Sequence, residues 1–134
     1  MVVCYTSAMP ISLKSARLKA DGRFWLTLDG KNFLGRGRVE LLQRIRETGS
    51  ISQAAKAMKM SYKAAWDAVD AMNTAWHSAL VESGPSGSHL SEDAEHLITA
   101  YQHAEAQHAA FMAELGRSLP LDVPRKRTAG APSR

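Results

Sequence analysis

The sequence predicts a fold that is mainly α-helical with a small antiparallel sheet (α+β), and three observations lead to this class. Two Asp-Gly pairs bracket a short alternating run at residues 23–28, which is typical of hairpin strands. Apolar residues recur at helical spacing through residues 48–76, interrupted by turn residues. Steps of three and four residues between apolar positions then continue through residues 94–115, as in one long helix.

Composition limits the class of protein. A chain of 134 residues with 45% hydrophobic and 22% charged residues is typical of one soluble domain with a single modest core. No stretch approaches the ~20 apolar residues of a membrane helix, and the N-terminus lacks a signal-peptide pattern. Cys4 is the only cysteine, so no internal disulfide forms and a reducing compartment is expected. We therefore expect a cytoplasmic protein with no membrane partner.

Basic and acidic residues are unevenly distributed. Residues 14–63 contain twelve basic and four acidic residues, although the net charge of the whole chain is only +4. Between residues 79 and 118 the balance reverses, with six acidic residues and one basic residue. A basic first half favours a polyanionic partner such as nucleic acid, whereas the acidic second half argues against adhesion of the whole chain to it.

The first part of the chain contains the predicted sheet. Residues 1–14 show no period and are expected to form a loose lead-in. The Asp-Gly pairs at 21–22 and 29–30 signal two-residue turns, so residues 15–34 are expected to form two or three short strands. Trp25 alternates away from the apolar face of this run, and we interpret it as a packing residue rather than one that stacks on bases.

A first helix is predicted over about residues 38–48. Its expected core face is Leu41, Leu42 and Ile45. Glu40 and Arg44 are spaced for an i,i+4 ion pair on its outer side. Arg36 and Arg38, at the start of this helix, either contact phosphate or are simply solvated.

Two further helices follow, separated by tight turns. Gly49 is placed to end the first helix in a left-handed conformation, and Ser50 with Gln53 forms an S-x-x-Q capping box. These signals predict a short helix over residues 51–58 and a third helix over residues 61–76. The expected buried stripe of the third helix is Ala65, Val69, Met72 and Trp76. Two short helices joined by a tight turn predict a helix-turn-helix.

This geometry predicts a DNA-binding surface. In a helix-turn-helix the start of the second helix of the motif enters the major groove, where hydroxyl, phenol and ammonium groups bond base edges and phosphates. The start of the first helix of the motif favours a phosphate, because its free N–H groups point outward. The predicted contact residues are Ser50, Ser52, Gln53, Ser61, Tyr62, Lys63, Trp66 and Asp67. The alternative is an ordinary Ala-rich helix pair, since capped helix pairs occur in many helical domains.

Two runs in this region resemble a known family. G-S-I-S-Q-A-A-K at 49–56 and M-S-Y-K-A-A-W-D at 60–67 resemble the winged helix of the ModE-type molybdate-responsive regulators, which is related to the LysR-type DNA-binding domain. The resemblance covers roughly residues 18–115. It implies a winged helix-turn-helix and a dimeric transcriptional regulator, expected to be a repressor that binds an inverted-repeat operator, at genes related to molybdenum.

The predicted wing departs from that family. A strand at 79–82 and a return strand at 89–90 enclose a segment with no Lys or Arg, whereas the family's wing is longer, Gly-rich and basic. We therefore expect its contacts with the phosphate backbone to be weaker or missing. Lys59 occupies a turn position where the family often has Gly, which implies a left-handed conformation at some energetic cost.

A long last helix is predicted to begin after Ser91 and to end near Gly116. At ~1.5 Å per residue it is ~36 Å long, more than one small core covers, so its remaining apolar surface is expected to meet a second copy. A two-fold dimer places two recognition helices about one DNA turn apart. The alternative is a helix that folds back on its own domain. The expected dimer residues are Leu97, Ile98, Tyr101, Ala104, His108, Phe111, Met112 and Leu115.

The histidine spacing and the absence of known catalytic motifs in the sequence argue against metal binding and enzymatic activity. The four histidines between residues 89 and 108 are separated by seven, seven and five positions, which misses the i,i+3 or i,i+4 spacing of metal ligands on one helix. Phosphate-loop, dinucleotide-binding, zinc-protease and serine-hydrolase motifs are missing from the sequence. We therefore expect no metal, no cofactor and no enzymatic activity.

The expected organisation is a lead-in at 1–14, a winged helix-turn-helix with an N-terminal hairpin at 15–90, a dimerisation helix at 91–116 and a disordered basic tail at 117–134. ModE-type regulators also carry a C-terminal molybdate-binding module, whose S-A-R-N type motif is missing here. The resemblance therefore implies binding of double-stranded DNA by a homodimer, and not molybdate binding. A second hypothesis is a dimerisation partner or antagonist of other regulators, with reduced specific DNA binding.

Overall fold

The computed structural model describes residues 18–124, and the predicted lead-in at 1–14 and most of the predicted tail lie outside these residues. The predicted class, mainly α with small antiparallel sheets (α+β), is confirmed. In chain order the elements are β1 (Leu26–Leu28), β2 (Lys31–Leu34), α1 (Arg36–Thr48), α2 (Ile51–Ala57), α3 (Tyr62–Trp76), β3 (Val81–Gly84), β4 (Gly87–Leu90) and α4 (Glu92–Ser118). None of the helices within residues 18–124 combines the length and the apolar character needed to cross a membrane.

The chain divides into two compact units. Arg23–His108 forms one unit, which contains both hairpins, α1 to α3 and α4 as far as His108. The described part of the other unit comprises residues 18–22 and 109–124. The core of the larger unit is built from α1 to α3, the ends of the hairpins and the first turns of α4.

The N-terminal hairpin forms at the second Asp-Gly pair. β1 and β2 are antiparallel, and both turn residues are left-handed, with φ of 53° at Asp29 and 78° at Gly30. Two consecutive left-handed residues match the right-handed twist of the strands. The first Asp-Gly pair precedes any strand of the described residues, so a third strand does not form there. Trp25 is 49% exposed among the described residues, which do not bury it as its predicted packing role required.

The predicted end of α1 and the predicted N-cap of α2 are confirmed. Gly49 is left-handed (φ 71°) and its N–H donates to the carbonyl of Ile45 at 2.7 Å. The Ser50 hydroxyl accepts from the N–H of Gln53 at 3.1 Å. The second half of the capping box is made differently, because the Ser50 N–H donates to Thr48 Oγ1 at 3.3 Å.

The helix-turn-helix is completed by α3. Lys59 in the turn has φ of 56°, so the left-handed conformation expected at this non-glycine position is present. Ser61 caps α3 by accepting from the N–H of Ala64 at 3.0 Å. The predicted stripe is buried at Ala65, Val69 and Met72, each no more than 1% exposed. Trp76 is half-buried and stacks on Phe33, with ring centroids 5.7 Å apart.

The wing consists of two four-residue strands joined by Pro85 and Ser86. Its register pairs Val81 with Leu90 and Gly84 with Gly87, so the strands reach further toward the tip than predicted. The side chain of Asn73 holds the base of the wing against α3. Its Oδ1 accepts from the N–H groups of Leu80 (2.8 Å) and Val81 (3.2 Å), and its Nδ2 donates to the Val81 carbonyl at 3.2 Å.

The helix α4 starts as predicted and ends later. The Ser91 hydroxyl accepts from the N–H of Ala94 at 3.2 Å, and three acidic residues in the first turn suit the positive end of the helix dipole. The helix continues through Gly116 to Ser118, so the predicted end at this glycine is wrong. A Cβ at Gly116 would lie 2.8 Å from the backbone nitrogen of Ala20, so close packing within the smaller unit explains the glycine.

Candidate nucleic-acid interface

The buried positions of α3 determine which of its residues face outward. Because Ala65, Val69 and Met72 fill the core, the opposite face of the helix points away from it. Tyr62 is 55% exposed and Trp66 is 36% exposed on this outer side. The exposed residues of the first two turns are Tyr62, Lys63, Ala64, Trp66 and Asp67. Four of them belong to the predicted DNA-contacting set, and the helix presents them together.

An ion pair joins two of these residues. Lys63 Nζ lies 3.0 Å from Asp67 Oδ2, and both side chains are largely exposed. An exposed i,i+4 pair of this kind contributes only about 0.3–0.5 kcal/mol, since solvent screens it. The ammonium is therefore free to exchange its carboxylate partner for a phosphate or a base acceptor.

Tyr62 and Trp66 form an aromatic pair beside that ion pair. Their ring centroids are 6.2 Å apart, and the ring planes are inclined at 76°, which is an edge-to-face arrangement. This geometry is favoured by the ring quadrupoles. Tyr62 and Trp66 both belong to the predicted DNA-contacting set, but the sequence analysis did not indicate that they pack on each other.

The predicted serine contacts have a structural role at the helix starts. The Oγ atoms of Ser50 and Ser61 each accept from a backbone N–H as N-caps. Each hydroxyl keeps its own proton, so it remains able to donate to a phosphate oxygen. Gln53 is exposed at the start of α2, whereas Ser52 is half-buried and presents less of its surface.

The arginines of α1 are engaged within the domain. The Arg36 guanidinium donates to Glu105 Oε2 from Nε (3.0 Å) and Nη2 (2.9 Å). Arg46 Nη1 donates to Glu95 Oε1 at 2.6 Å, and Arg38 donates to the Phe33 carbonyl at 2.9 Å. The Arg36 side chain is still 82% exposed, so its surface ion pair does not decide between the phosphate contact and the solvation that the sequence left open for Arg36 and Arg38.

Unpaired positive charge lies instead on α2 and its turn. Within residues 18–124, Lys56 and Lys59 take part in no ion pair, and both are exposed. They stand close in sequence to the start of α3, where Lys63 is bound only by its weak pair with Asp67. Lys19, Arg23 and Lys31 are likewise exposed and in no ion pair among these residues, so the helix-turn-helix carries part of the basic character predicted for the first half.

The wing adds no positive charge. Ser83 Oγ and Ser88 Oγ lie 2.9 Å apart across the strands, and Ser86 Oγ lies 3.4 Å from His89 Nε2. Glu82 is exposed on β3. The wing presents hydroxyl groups, an imidazole and a carboxylate, which supports the expectation of weak contact with a phosphate backbone.

A polar network behind the helix-turn-helix was missed in the sequence. The Tyr101 hydroxyl lies 3.1 Å from the Phe24 carbonyl and 3.3 Å from Glu105 Oε2, so it donates to either oxygen. Burial raises the pKa of Tyr101, and the charge of Glu105 raises it further. The bond with Glu105 likewise raises the pKa of Arg36. These residues are 69 or more positions from their hairpin or α1 partners, so no local pattern indicated them.

The predicted dimer residues divide into two groups. Ile98 and Tyr101 are only 2% and 1% exposed, so the prediction that they contact a second copy is wrong, because the domain's own core covers them. In the larger unit Leu97, Ala104 and His108 are half-buried. In the smaller unit Phe111 is 63% exposed, Leu115 is 40% exposed and Met112 is half-buried.

No site for a metal ion is present in the described part of the chain. Within residues 18–124, no three His, Cys, Asp or Glu side chains are grouped so that they could hold one. His108 instead lies against Phe24, with ring centroids 5.4 Å apart. The arrangement is thus one of exposed helix, paired aromatics and lysines, which suits binding rather than catalysis.

Comparison with known proteins places this arrangement in a family. The model of bacterial regulatory helix-turn-helix proteins of the lysR family matches residues 37–95. The transcriptional regulator ModE of Yersinia pestis is 41% identical over 111 residues, which cover 78% of this chain and 42% of that protein. The DNA-binding transcriptional dual regulator ModE of Escherichia coli K12 is 38% identical over 100 residues, covering 70% of this chain and 38% of that protein.

Two further proteins are similar to parts of the chain. The molybdenum-pterin-binding protein MopB of Rhodobacter capsulatus is 43% identical over 94 residues, covering 66% of this chain and 35% of that protein. The solved CbnR_DBD–DNA complex is 16% identical with a TM-score of 0.49, covering 61% of this chain and 93% of that chain, a likeness too loose to assign a function.

The family match agrees with the prediction that this chain is not an enzyme. The chain spans about two fifths of the length of the ModE relatives that it matches. Residues 37–95 match the lysR-type regulatory helix-turn-helix family, and over the shared region this chain is a homologue of the ModE regulators.

Proposed function

We propose that this protein is a transcriptional regulator which binds double-stranded DNA through α2 and α3. It recognises an inverted-repeat operator as a homodimer and acts as a repressor. The face that enters the major groove is the first two turns of α3, with the start of α2 against the phosphate backbone.

One observation carries this proposal above the others. The capped start of α3 presents Tyr62, Lys63, Trp66 and Asp67 together on its exposed side, within the residues that match a regulatory helix-turn-helix family. These side chains offer a phenol, an ammonium, an indole N–H and a carboxylate, which together can bond or contact every type of major-groove base edge. Unpaired Lys56 and Lys59 supply attraction to the backbone nearby.

The homodimer rests on the exposed apolar positions of α4. Phe111 and Leu115 are 63% and 40% exposed, and large apolar side chains in this state are stabilised by a partner surface. Phe111→Glu is expected to shift the protein from dimer to monomer in sedimentation equilibrium, whereas Gln102→Glu, an exposed polar control on the opposite side of α4, leaves the dimer intact. A dimer that survives Phe111→Glu unchanged would exclude this helix position from the interface.

The link to molybdenum comes from the relatives alone. Regulators named ModE and a protein named for molybdenum-pterin binding match this chain over about two fifths of their lengths or less. On the basis of these relatives, we propose that the regulated genes are related to molybdenum. Molybdate binding is not part of the proposal.

The test is binding to a pool of genomic DNA fragments, followed by recovery and sequencing of the bound fragments over a series of salt concentrations. A palindromic motif should be enriched, and affinity should fall steeply with salt, because released counterions drive the binding. Half-sites about one helical turn apart would support the dimer. Weak binding with no enriched sequence would overturn the proposal.

A second candidate function is favoured by the wing. Its strands carry Glu82 and no Lys or Arg, and Arg36 and Arg46 form surface ion pairs with carboxylates of α4. A protein with these features would act as a dimerisation partner or antagonist of other regulators through α4. Under this reading the genomic pool yields no motif, while the protein forms a mixed dimer with a full-length ModE-type regulator in the same sedimentation assay.

A further inference from the structure

We propose that Tyr62 and Trp66 together read thymine in the major groove, through apolar contact with its C5-methyl group. The inference rests on the proposed function and goes beyond it, because it names the chemical group that α3 selects. It places at least one thymine in each operator half-site opposite the first two turns of α3.

The first support is that two large aromatic side chains are exposed side by side. Tyr62 is 55% exposed and Trp66 is 36% exposed, and neither belongs to the core of the larger unit. A single exposed apolar residue is ordinary on a protein surface. Two rings in contact, one helical turn apart, form a patch on the very face that a helix-turn-helix directs at DNA.

The second support is that the pair is organised before any partner arrives. The edge-to-face contact at 6.2 Å fixes the orientation of one ring relative to the other. Aromatic side chains have only two side-chain torsions, so little further freedom is lost on binding. A rigid apolar surface discriminates by shape, and it therefore requires a partner group with matching apolar shape.

The third support is the chemistry of the groove. Base edges in the major groove present hydrogen-bond donors and acceptors, and the C5-methyl of thymine is the apolar group among them. Lys63 lies beside Tyr62 on the helix and pairs only with exposed Asp67, so the patch is bordered by a cation that suits DNA. An apolar protein surface is the competing occupant, and this border of charge argues against it.

Helix geometry limits where the thymines lie. Tyr62 and Trp66 are separated by about 6 Å along the axis, and base pairs stack about 3.4 Å apart. The methyl groups that touch the two rings should therefore fall within about two base-pair steps of each other. Methyl groups of thymines elsewhere in the operator are not expected to contact Tyr62 or Trp66.

The experiment replaces thymine by uracil, which removes the methyl group and leaves all hydrogen-bonding groups in place. Each thymine of the enriched operator is exchanged singly in a synthetic duplex, and binding is measured for the unaltered protein, Trp66→Ala, Tyr62→Ala and Trp25→Ala. Burial of one methyl group corresponds to about a three- to fivefold change in Kd. Thermal unfolding of each variant checks that it folds.

Uracil at one or two positions within about two steps should weaken binding three- to fivefold for the unaltered protein and for Trp25→Ala, an exposed-tryptophan control. The same exchange should have little effect for Trp66→Ala or Tyr62→Ala. Specific binding that is indifferent to uracil at every position, or a uracil effect that persists in both α3 variants, overturns the inference while the proposed function stands. The absence of any enriched operator overturns both.

Discussion

The backbone N–H of Ser88 donates to the carbonyl oxygen of Gly49 at 2.9 Å. This bond joins β4 of the wing to the residue that ends α1 and precedes α2. Gly87, the neighbour of Ser88, has φ of 111°, and a Cβ there would lie 2.7 Å from the same oxygen. The position of the wing relative to the helix-turn-helix is therefore set by two glycines that approach each other closely.

Gly87→Ala should destabilise the domain by about 2 kcal/mol or more, because it adds a backbone clash to an unfavourable φ. Gly84→Ala, the matched control across the same turn, meets no atom within 4 Å and should change stability by no more than about 0.5 kcal/mol. Urea unfolding followed by circular dichroism measures both. Equal midpoints for the two variants would show that the wing does not depend on this contact.

Asn73→Ala should destabilise the domain by about 2 kcal/mol, since it leaves the N–H groups of Leu80 and Val81 without their acceptor. Thr74→Ala changes the next, exposed residue of α3 and is the control. Hydrogen exchange at Leu80 and Val81 provides the specific readout. Faster exchange at these amides in Asn73→Ala alone is expected, and unchanged protection would contradict the assigned role of the amide side chain.

Lys63→Ala should weaken DNA binding and reduce the slope of log affinity against log salt by about 1, as expected for one lost phosphate contact. If Lys63 instead bonds a base, affinity for the operator falls while the slope and non-specific binding stay the same. Lys31→Ala removes an exposed lysine of the N-terminal hairpin and should leave both quantities unchanged. Fluorescence anisotropy over a salt series measures these changes, and identical behaviour of the two variants would remove Lys63 from the interface.

Tyr101 should make the protein sensitive to alkaline pH. Burial and the neighbouring Glu105 charge raise the pKa of its phenol above the ordinary value of 10.0. The folded state thus holds this proton more tightly than the unfolded chain, so the free energy of unfolding is unaffected below about pH 10 and falls as pH rises above it.

Tyr101→Phe tests that dependence. It should cost about 1 kcal/mol at neutral pH, because the hydrogen bond with the Phe24 carbonyl is lost. Its loss of stability above about pH 10 should be smaller than that of the unaltered protein, since the variant lacks the Tyr101 phenol whose raised pKa causes that loss. Denaturant unfolding at about pH 8 and about pH 11 gives the comparison, and parallel losses would show that the phenol does not contribute.

Local sequence signals were sufficient for most of the secondary structure. Gly49, Ser50 and Ser61 act at the helix boundaries where their side chains or their conformational freedom predicted them to act, because caps depend on residues no more than four positions apart. The stripe of Ala65, Val69 and Met72 follows from helical periodicity in the same way. Exposure of the opposite face of α3 follows from that stripe.

Four residues had roles that local sequence signals predicted wrongly, because these roles depend on packing between distant segments. Trp25 was expected to be a packing residue by its type, yet it is 49% exposed within the residues that the structure describes. Gly116 looked like a helix end, but the tertiary structure uses it for close approach to Ala20. Ile98 and Tyr101 were predicted to contact a second copy, but α4 packs both side chains into the core of the same domain.

The helix-turn-helix, its caps and the residues on the outer face of α3 could be predicted from the residues alone, because each of these follows from short-range backbone preferences and periodicity. The ion pairs between arginines and carboxylates and the attachment of the wing required the folded structure. Those outcomes join residues that are far apart in sequence, such as Arg36 with Glu105 and Gly49 with Ser88. Spacing along the chain carries no information about such pairs until the core has brought them together.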